Sequence, residues 1–332
     1  MVSVAAVVRD KRGRFAAGLT KEDFIVEEAG TRRDILQFHP DTNAPVRVAL
    51  LFDVSGSMRL ADRIEEARQA ARQVLGALRL ADPGQRAGAS GAPAGPNAGG
   101  TRQPRTQRGG ASGVPAEPNA GAIRQLSNAE AAVFSFDMNL QSLQPFTSDV
   151  GAIESALARV TPYGQTSLYD AIAQTARRVA DTKPGDPYRR AVVVFTDGVD
   201  TSSLLTPEQV SAFASEIDVP VYVVTVVSAS AQEDRGAHGG APEGPLRTLA
   251  QWTGGDLFMT SAPAHESLAA RQIVEELRHQ YVIAFTASPA SGWHPLSVKT
   301  RDRDLTVRAR RGYAAGTRAG SDSNNQTKEF LR

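Results

Sequence analysis

Three oxygen-bearing side chains stand at alternate positions in the string Asp53-Val54-Ser55-Gly56-Ser57. Alternate residues leaving the end of a strand can converge on one point, and Gly56 lets the backbone turn tightly between them. The string therefore offers three oxygens to one cation. Two other strings supply matching oxygens. TPYGQTSLYDAI puts Thr166 in a glycine-containing loop that opens a helix, which Thr166 or Ser167 could also cap. AVVVFTDGVD puts Asp197 at the end of an apolar run. Two carboxylates and three hydroxyls, with no His or Cys among them, form a hard, all-oxygen set. Such a set suits Mg²⁺, Mn²⁺ or Ca²⁺ and disfavours zinc or copper. Mg²⁺ takes six oxygens, so five loosely arranged protein groups leave room for one from outside. The plainer alternatives are a polar turn capping a helix from Arg59 and an ordinary strand-end aspartate. Asp53-x-Ser-x-Ser alone does not decide between them; its position among the other elements does.

Those elements are legible from periodicity. VRVALLF, from Val46, is a near-continuous apolar run, as in a strand buried on both faces. After it Leu60, Ile64, Ala67, Ala71, Val74 and Leu78 recur at helical spacing. Strands at 131–137, 191–197 and 219–227 and near 255–260 then alternate with helices at 150–160, 167–181, 207–217, near 246–252 and at 265–279. This alternation predicts an α/β fold: an open, doubly wound, mostly parallel sheet over 46–281 with helices on both faces. In such sheets the loops at the carboxyl ends of the strands form the binding crevice, which is where Asp53 and Asp197 fall.

Both flanks read as β structure. Segments 1–45 and 282–315 are each too short to hold a core alone, so they are expected to pack together as one accessory β domain. In the last run Thr306, Arg308 and Arg310 alternate with Leu305, Val307 and Ala309, predicting a basic, solvated strand face. Residues 316–332 read as a disordered tail. Residues 82–127 read as a disordered insert, lacking aromatics and rich in Gly, Pro, Ala and Ser. Within it GASGAPAGPNAGGTRQ (88–103) returns as GASGVPAEPNAGAIRQ (110–125), identical at 12 of 16 positions, as after a tandem duplication.

Composition narrows the function. The 332 residues carry 37 Lys and Arg against 36 Asp and Glu, so no global field recruits nucleic acid. The absence of cysteine removes disulfides, thiolate metal sites and a cysteine nucleophile. No apolar window is long enough to span a membrane, and MVSVAAVVRDKRGR shows no signal-peptide pattern. There is no G-x-S-x-G, P-loop or G-x-G-x-x-G, and no general base with an orienting partner near the oxygens, so no enzyme activity is expected. Asp170 reads as a second carboxylate behind Thr166, and Asp200 as a solvated loop residue. The loop 228–245 follows a strand end, so Glu233, Asp234, His238 and Glu243 are candidates for touching a partner.

DVSGSM, GQTSLYDAI and VVVFTDGVD resemble the three parts of the metal-ion-dependent adhesion site of von Willebrand factor A domains. The order of the motifs and the elements between them match too, over roughly 46–280. The resemblance implies that Ser55, Ser57 and Thr166 coordinate the ion directly, and Asp53 and Asp197 directly or through water. An ion touched by neutral hydroxyls keeps much of its charge, so an Asp or Glu of a partner protein is its natural sixth ligand. GLTKEDFIVEEAG and QYVIAF…VRARRGYAA resemble flanks of a group of bacterial, usually exported proteins containing this domain, which implies an extracytoplasmic location. The expected function is metal-dependent adhesion; the rival is a structural or assembly module that uses the fold without metal-gated binding.

Overall fold

The computed structural model describes residues 1–40, 44–80, 125–126, 128–181, 188–216, 218–226, 243–260 and 262–315. Strands β1 (Val2–Asp10), β2 (Phe24–Glu28), β3 (Thr31–Arg33) and β4 (Ile35–His39) come first. β5 (Val46–Asp53) runs through a 3₁₀ turn (Gly56–Asp62) into α1 (Arg63–Leu80). Next come β6 (Ala129–Phe136), β7 (Leu140–Thr147), α2 (Val150–Leu157), α3 (Leu168–Ala180), β8 (Arg189–Thr196) and α4 (Pro207–Glu216). β9 (Val221–Val226), α5 (Glu243–Thr253), β10 (Leu257–Thr260) and α6 (Pro263–Arg278) complete the alternating part. β11 (Gln280–Phe285), β12 (Gly292–Thr300), β13 (Leu305–Ala309) and β14 (Gly312–Ala315) follow.

The middle of the chain forms a six-stranded sheet in the order β10-β9-β8-β5-β6-β7, parallel except for β7. β5 is apolar from Val48 to Phe52 because both of its faces are covered there. Val46, Val48, Leu50 and Phe52 pack with α1, α2 and α6, whereas Ala49 and Leu51 pack with α3, α4 and α5. β8 divides in the same way, with Ala191, Val193 and Phe195 on the first side and Val192 and Val194 on the second. From β5 the chain builds outward in one direction through β6 and β7, then in the other through β8, β9 and β10. The reversal lies between β5 and β8, and the crevice beyond their carboxyl ends is where a doubly wound sheet binds its ligand.

The outer segments make a sandwich of two four-stranded sheets, β13-β1-β11-β4 and β14-β12-β2-β3. Strands from before and after the α/β unit alternate in the first sheet and meet at the β12–β2 pairing in the second. The two sheets share one core, which includes Val4, Val8, Phe24, Val26, Ile283, Phe285 and Tyr313. The basic face expected to be solvated is instead the seam between the sandwich and the α/β unit. Arg308 bonds Asp256 at 2.8 Å and also Glu276, and Arg9 reaches Glu276 at 3.0 Å. Arg310 is buried, donates to the carbonyls of Ser215 and Ser3 and pairs with Asp218 at 3.3 Å. Alternation had placed these arginines on one face correctly; the α/β unit covers that face and supplies the acceptors. One boundary also moves. Leu126, read as part of the insert, is buried in the core against α1 and α2, and its amide bonds the Ser148 carbonyl at 2.7 Å. Residues 82–124, 127 and 316–332 lie outside the described residues.

The Glu276 carboxylate, with no solvent exposure, is shared by Arg9 and Arg308. Removing one side of a buried pair leaves its partners uncompensated, at about 3–5 kcal/mol. Glu276→Ala is therefore expected to lower stability by about that amount in urea unfolding. A loss within about 0.5 kcal/mol, as for an ordinary surface substitution, would contradict this account of the seam.

Candidate metal centre

Asp53 is the last residue of β5 and has no solvent exposure. Its Oδ1 accepts the Ser55 amide at 2.9 Å and its Oδ2 accepts the Thr196 hydroxyl at 2.6 Å. Thr196 ends β8, so this bond ties the two strands together across the switch point. Burial pushes the Asp53 carboxyl up to about 6, and the Asp197 charge adds to the rise, while the bonds from Thr196 and Ser55 oppose it.

Ser55 stands at the N-cap of the 3₁₀ turn, yet its side chain does not cap it. Its hydroxyl lies 3.0 Å from that of Ser57. Two oxygens at right angles around an ion, each about 2.1 Å away as for magnesium, lie about 3.0 Å apart. The spacing of the serine pair, that of a hydrogen bond, is also the spacing of two adjacent ligands in a magnesium octahedron. Among the described residues no group of three or more His, Cys, Asp or Glu could hold a metal, so an ion here depends on hydroxyl oxygens. The donor set fits a hard cation.

Thr166 is buried in the loop before α3. Its amide donates to the Thr201 hydroxyl at 3.0 Å, and its carbonyl accepts the amides of Thr201 and Ser202, each at 3.0 Å. The same loop is fastened to the β5 loop, where the Gly56 amide meets the Gly164 carbonyl at 3.0 Å. Gly164 has a φ of +103°, and a Cβ there would lie 3.1 Å from the Asp137 Cβ, so glycine is needed on both counts. The Ser167 amide bonds the Asp137 carbonyl at 2.8 Å, which brings in the turn between β6 and β7. Four loops are joined at one end of the sheet.

Asp197 follows β8 and is buried. Its Oδ2 accepts Arg63 Nη1, from the first residue of α1, at 2.8 Å; the same nitrogen lies 3.3 Å from the Ser57 carbonyl. The structure thus brings Asp53, Ser55, Ser57, Thr166 and Asp197 to one end of the sheet. It corrects two lesser expectations. Neither Thr166 nor Ser167 caps α3 with its side chain: the Ser167 hydroxyl pairs with that of Ser202 at 2.9 Å, and Asp200 accepts the Leu168 amide at 2.8 Å instead. Asp200 is therefore a cap rather than a solvated loop carboxylate. Asp170 is buried and accepts the amides of Leu204 and Leu205 at 2.9 and 2.8 Å, fixing the loop after Asp197. Glu233, Asp234 and His238 lie outside the described residues; Glu243 begins α5, and its side chain is likewise not described. Sequence reasoning missed Thr196 and Arg63. Thr196 carried a usable signal, a hydroxyl at the end of a buried strand, whereas nothing local marks Arg63 as the partner of a residue 134 positions away.

An open doubly wound α/β unit with an oxygen-lined crevice at its switch point defines the class of domain. Residues 120–199 match the family model described as the von Willebrand factor type A domain. The matched segment, 80 of the 332 residues, includes Thr166 and Asp197. No curated protein matches. Among solved structures the chain is similar to the conserved hypothetical protein BatB from Bacteroides thetaiotaomicron, at 16% identity and TM-score 0.46, over 70% of this chain and 98% of that one. It is similar to a von Willebrand factor type A protein from Catenulispora acidiphila, at 13% identity and TM-score 0.45, over 99% and 78% of the two chains. It is also similar to proximal thread matrix protein 1 from the mussel byssus, solved with a zinc-occupied adhesion motif, at 14% identity and TM-score 0.46, over 76% and 50%.

The raised Asp53 carboxyl sets a pH dependence. Its ordinary value is 3.8 and its folded value about 6, so between the two the folded protein binds more protons than the unfolded chain. The stability this group contributes is full at low pH and is lost as pH rises through about 6. With divalent ions chelated, wild type is expected to lose melting temperature relative to Asp53→Asn between about pH 4.5 and pH 7. Parallel melting curves for the two proteins across that range would contradict the assignment.

Proposed function

We propose that this chain is a divalent-cation-dependent protein-recognition module. An ion held by Asp53, Ser55, Ser57, Thr166 and Asp197 takes an acidic side chain of a partner protein as its remaining ligand. Magnesium fits the spacing of the serine pair, with manganese and calcium as alternatives. The reading is one of binding, without turnover.

One observation carries it. The four loops joined around the site also hold a group of exposed large apolar side chains: Leu60, Met138, Tyr163, Val199 and Leu204, between 40% and 74% exposed. Single exposed apolar residues are ordinary, but several on neighbouring loops around one polar crevice have the composition of a recognition surface. Among the described residues no helix is long and apolar enough to cross a membrane. The Arg63–Asp197 pair favours the rival reading, since it compensates one carboxylate without any ion and would suit a purely structural module.

Titration calorimetry with magnesium, manganese, calcium and zinc separates the two readings, followed by pull-downs in magnesium and in EDTA. The Ser55 and Ser57 hydroxyls face each other, so the double variant Ser55→Ala/Ser57→Ala should fold normally. It is expected to lose roughly 10- to 100-fold or more in metal affinity, together with the partner retained in magnesium. Equal metal affinity in the double variant, or a partner held equally well in EDTA, would leave the structural module as the better account.

A further inference from the structure

We propose that Arg63 is a tethered counter-cation of this site: it neutralises Asp197 until a divalent ion arrives, and then turns to Glu66, one helical turn along α1. The proposal rests on the metal-binding reading above.

The first ground is where the guanidinium sits. Arg63 Nη1 holds Asp197 Oδ2 at 2.8 Å, with only 12% of the Arg63 side chain and 2% of the Asp197 side chain exposed. The crevice thus buries two carboxylates and one arginine. An ion binding between Asp53 and Asp197 meets a positive charge already in place, and it must displace or share with that charge. A water molecule or a potassium ion offers Asp197 less than the guanidinium does; a divalent cation offers more.

The second ground is a pair of unmet groups. Arg63 Nε is buried and meets no hydrogen-bond partner among the described residues. On the same helix, three residues on, Glu66 Oε2 is also buried and unmet. Side chains at that spacing are neighbours on a helix surface. Near Glu66, on α6, stands Glu266, whose Oε2 is a second buried oxygen without a partner among the described residues. Burial raises both carboxyls, Arg63 lowers that of Glu66, and the charge of Glu66 raises that of Glu266. An arginine released from Asp197 would therefore find acceptors that nothing else satisfies. The metal-free and metal-bound proteins each keep the guanidinium paired, with different carboxylates.

Ion affinity is then the difference between two pairings, which a mutant cycle read by magnesium calorimetry measures directly. Arg63→Met removes the competitor and is expected to tighten magnesium binding roughly 10- to 100-fold. Glu66→Gln removes the second resting place and is expected to weaken it roughly two- to fivefold. In the Arg63→Met background, Glu66→Gln should have no effect, because no guanidinium needs a destination; a plain long-range attraction of Glu66 for the ion would persist there. Unchanged or weaker binding in Arg63→Met overturns the proposal. If Arg63→Met folds only when magnesium is added, that outcome supports it, because the crevice then needs one cation or the other. If it folds in neither condition, Glu66→Gln at high salt decides, where a long-range attraction is screened: binding that is still weaker there supports the proposal, and unchanged binding overturns it. Magnesium bound by none of the proteins removes the metal reading and this inference together, whereas equal affinities in wild type and variants overturn the inference alone.

Discussion

A carboxylate without solvent exposure at the end of a doubly covered strand is the constraint around which this domain is arranged. Water solvates an ionised carboxylate better than a protein interior does, so Asp53 needs donors or a cation within reach. β8 supplies the Thr196 hydroxyl, and the turn after β5 supplies the Ser55 amide. The Thr196 hydroxyl is in place because of the parallel pairing of β5 and β8, whose register sets Phe52 beside Phe195 and hence Asp53 beside Thr196. The burial that makes Asp53 costly also excludes the water that would weaken any cation held there. One feature of the sheet, its reversal between β5 and β8, accounts for both.

The features legible in the sequence are local or periodic. VRVALLF is apolar but for Arg47 near its start, and AVVVF is apolar throughout, because both faces are covered, and a strand of that kind announces itself. The oxygens of Asp53, Ser55 and Ser57 lie close in sequence, so their convergence follows from chain geometry alone. What could not be read is what meets a face once it is formed. Alternation placed Arg308 and Arg310 together but carried no information about the α/β unit that covers them. Asp200 displaced Ser167 as the cap of α3 because a loop 32 residues further along the chain returns to that helix. Arg63 reached Asp197 in the same non-local way. Leu126 looked like the tail of a low-complexity stretch because a single leucine in polar surroundings has no periodicity to declare it buried.

α6 joins the two halves of this arrangement. Its carboxyl-terminal turns carry Glu276 into the seam with the sandwich, while Glu266, in its first turn, stands near Glu66 of α1. Its apolar residues Ala270, Ile273, Val274 and Leu277 lie between, in the core beneath α1. The helix is thus held at one end by satisfied ion pairs and at the other by carboxylates that repel.

The interleaving of the sandwich also dictates an order of assembly on the ribosome. Among the described residues the strands that pair with β1 are β11 and β13, so Val2 waits for Phe285 and Asp10 for Leu305. β1 is made before the α/β unit and its partners after it, so the whole α/β unit emerges in between. Contacts of such sequence separation form slowly. Until they form, an apolar, β-branched strand is exposed with both edges open, the state in which nascent chains associate with one another or with chaperones. The inner unit has no such wait, since β5, β6 and β8 pair in parallel through their own intervening helices. The α/β unit can therefore form before the sandwich that flanks it in sequence.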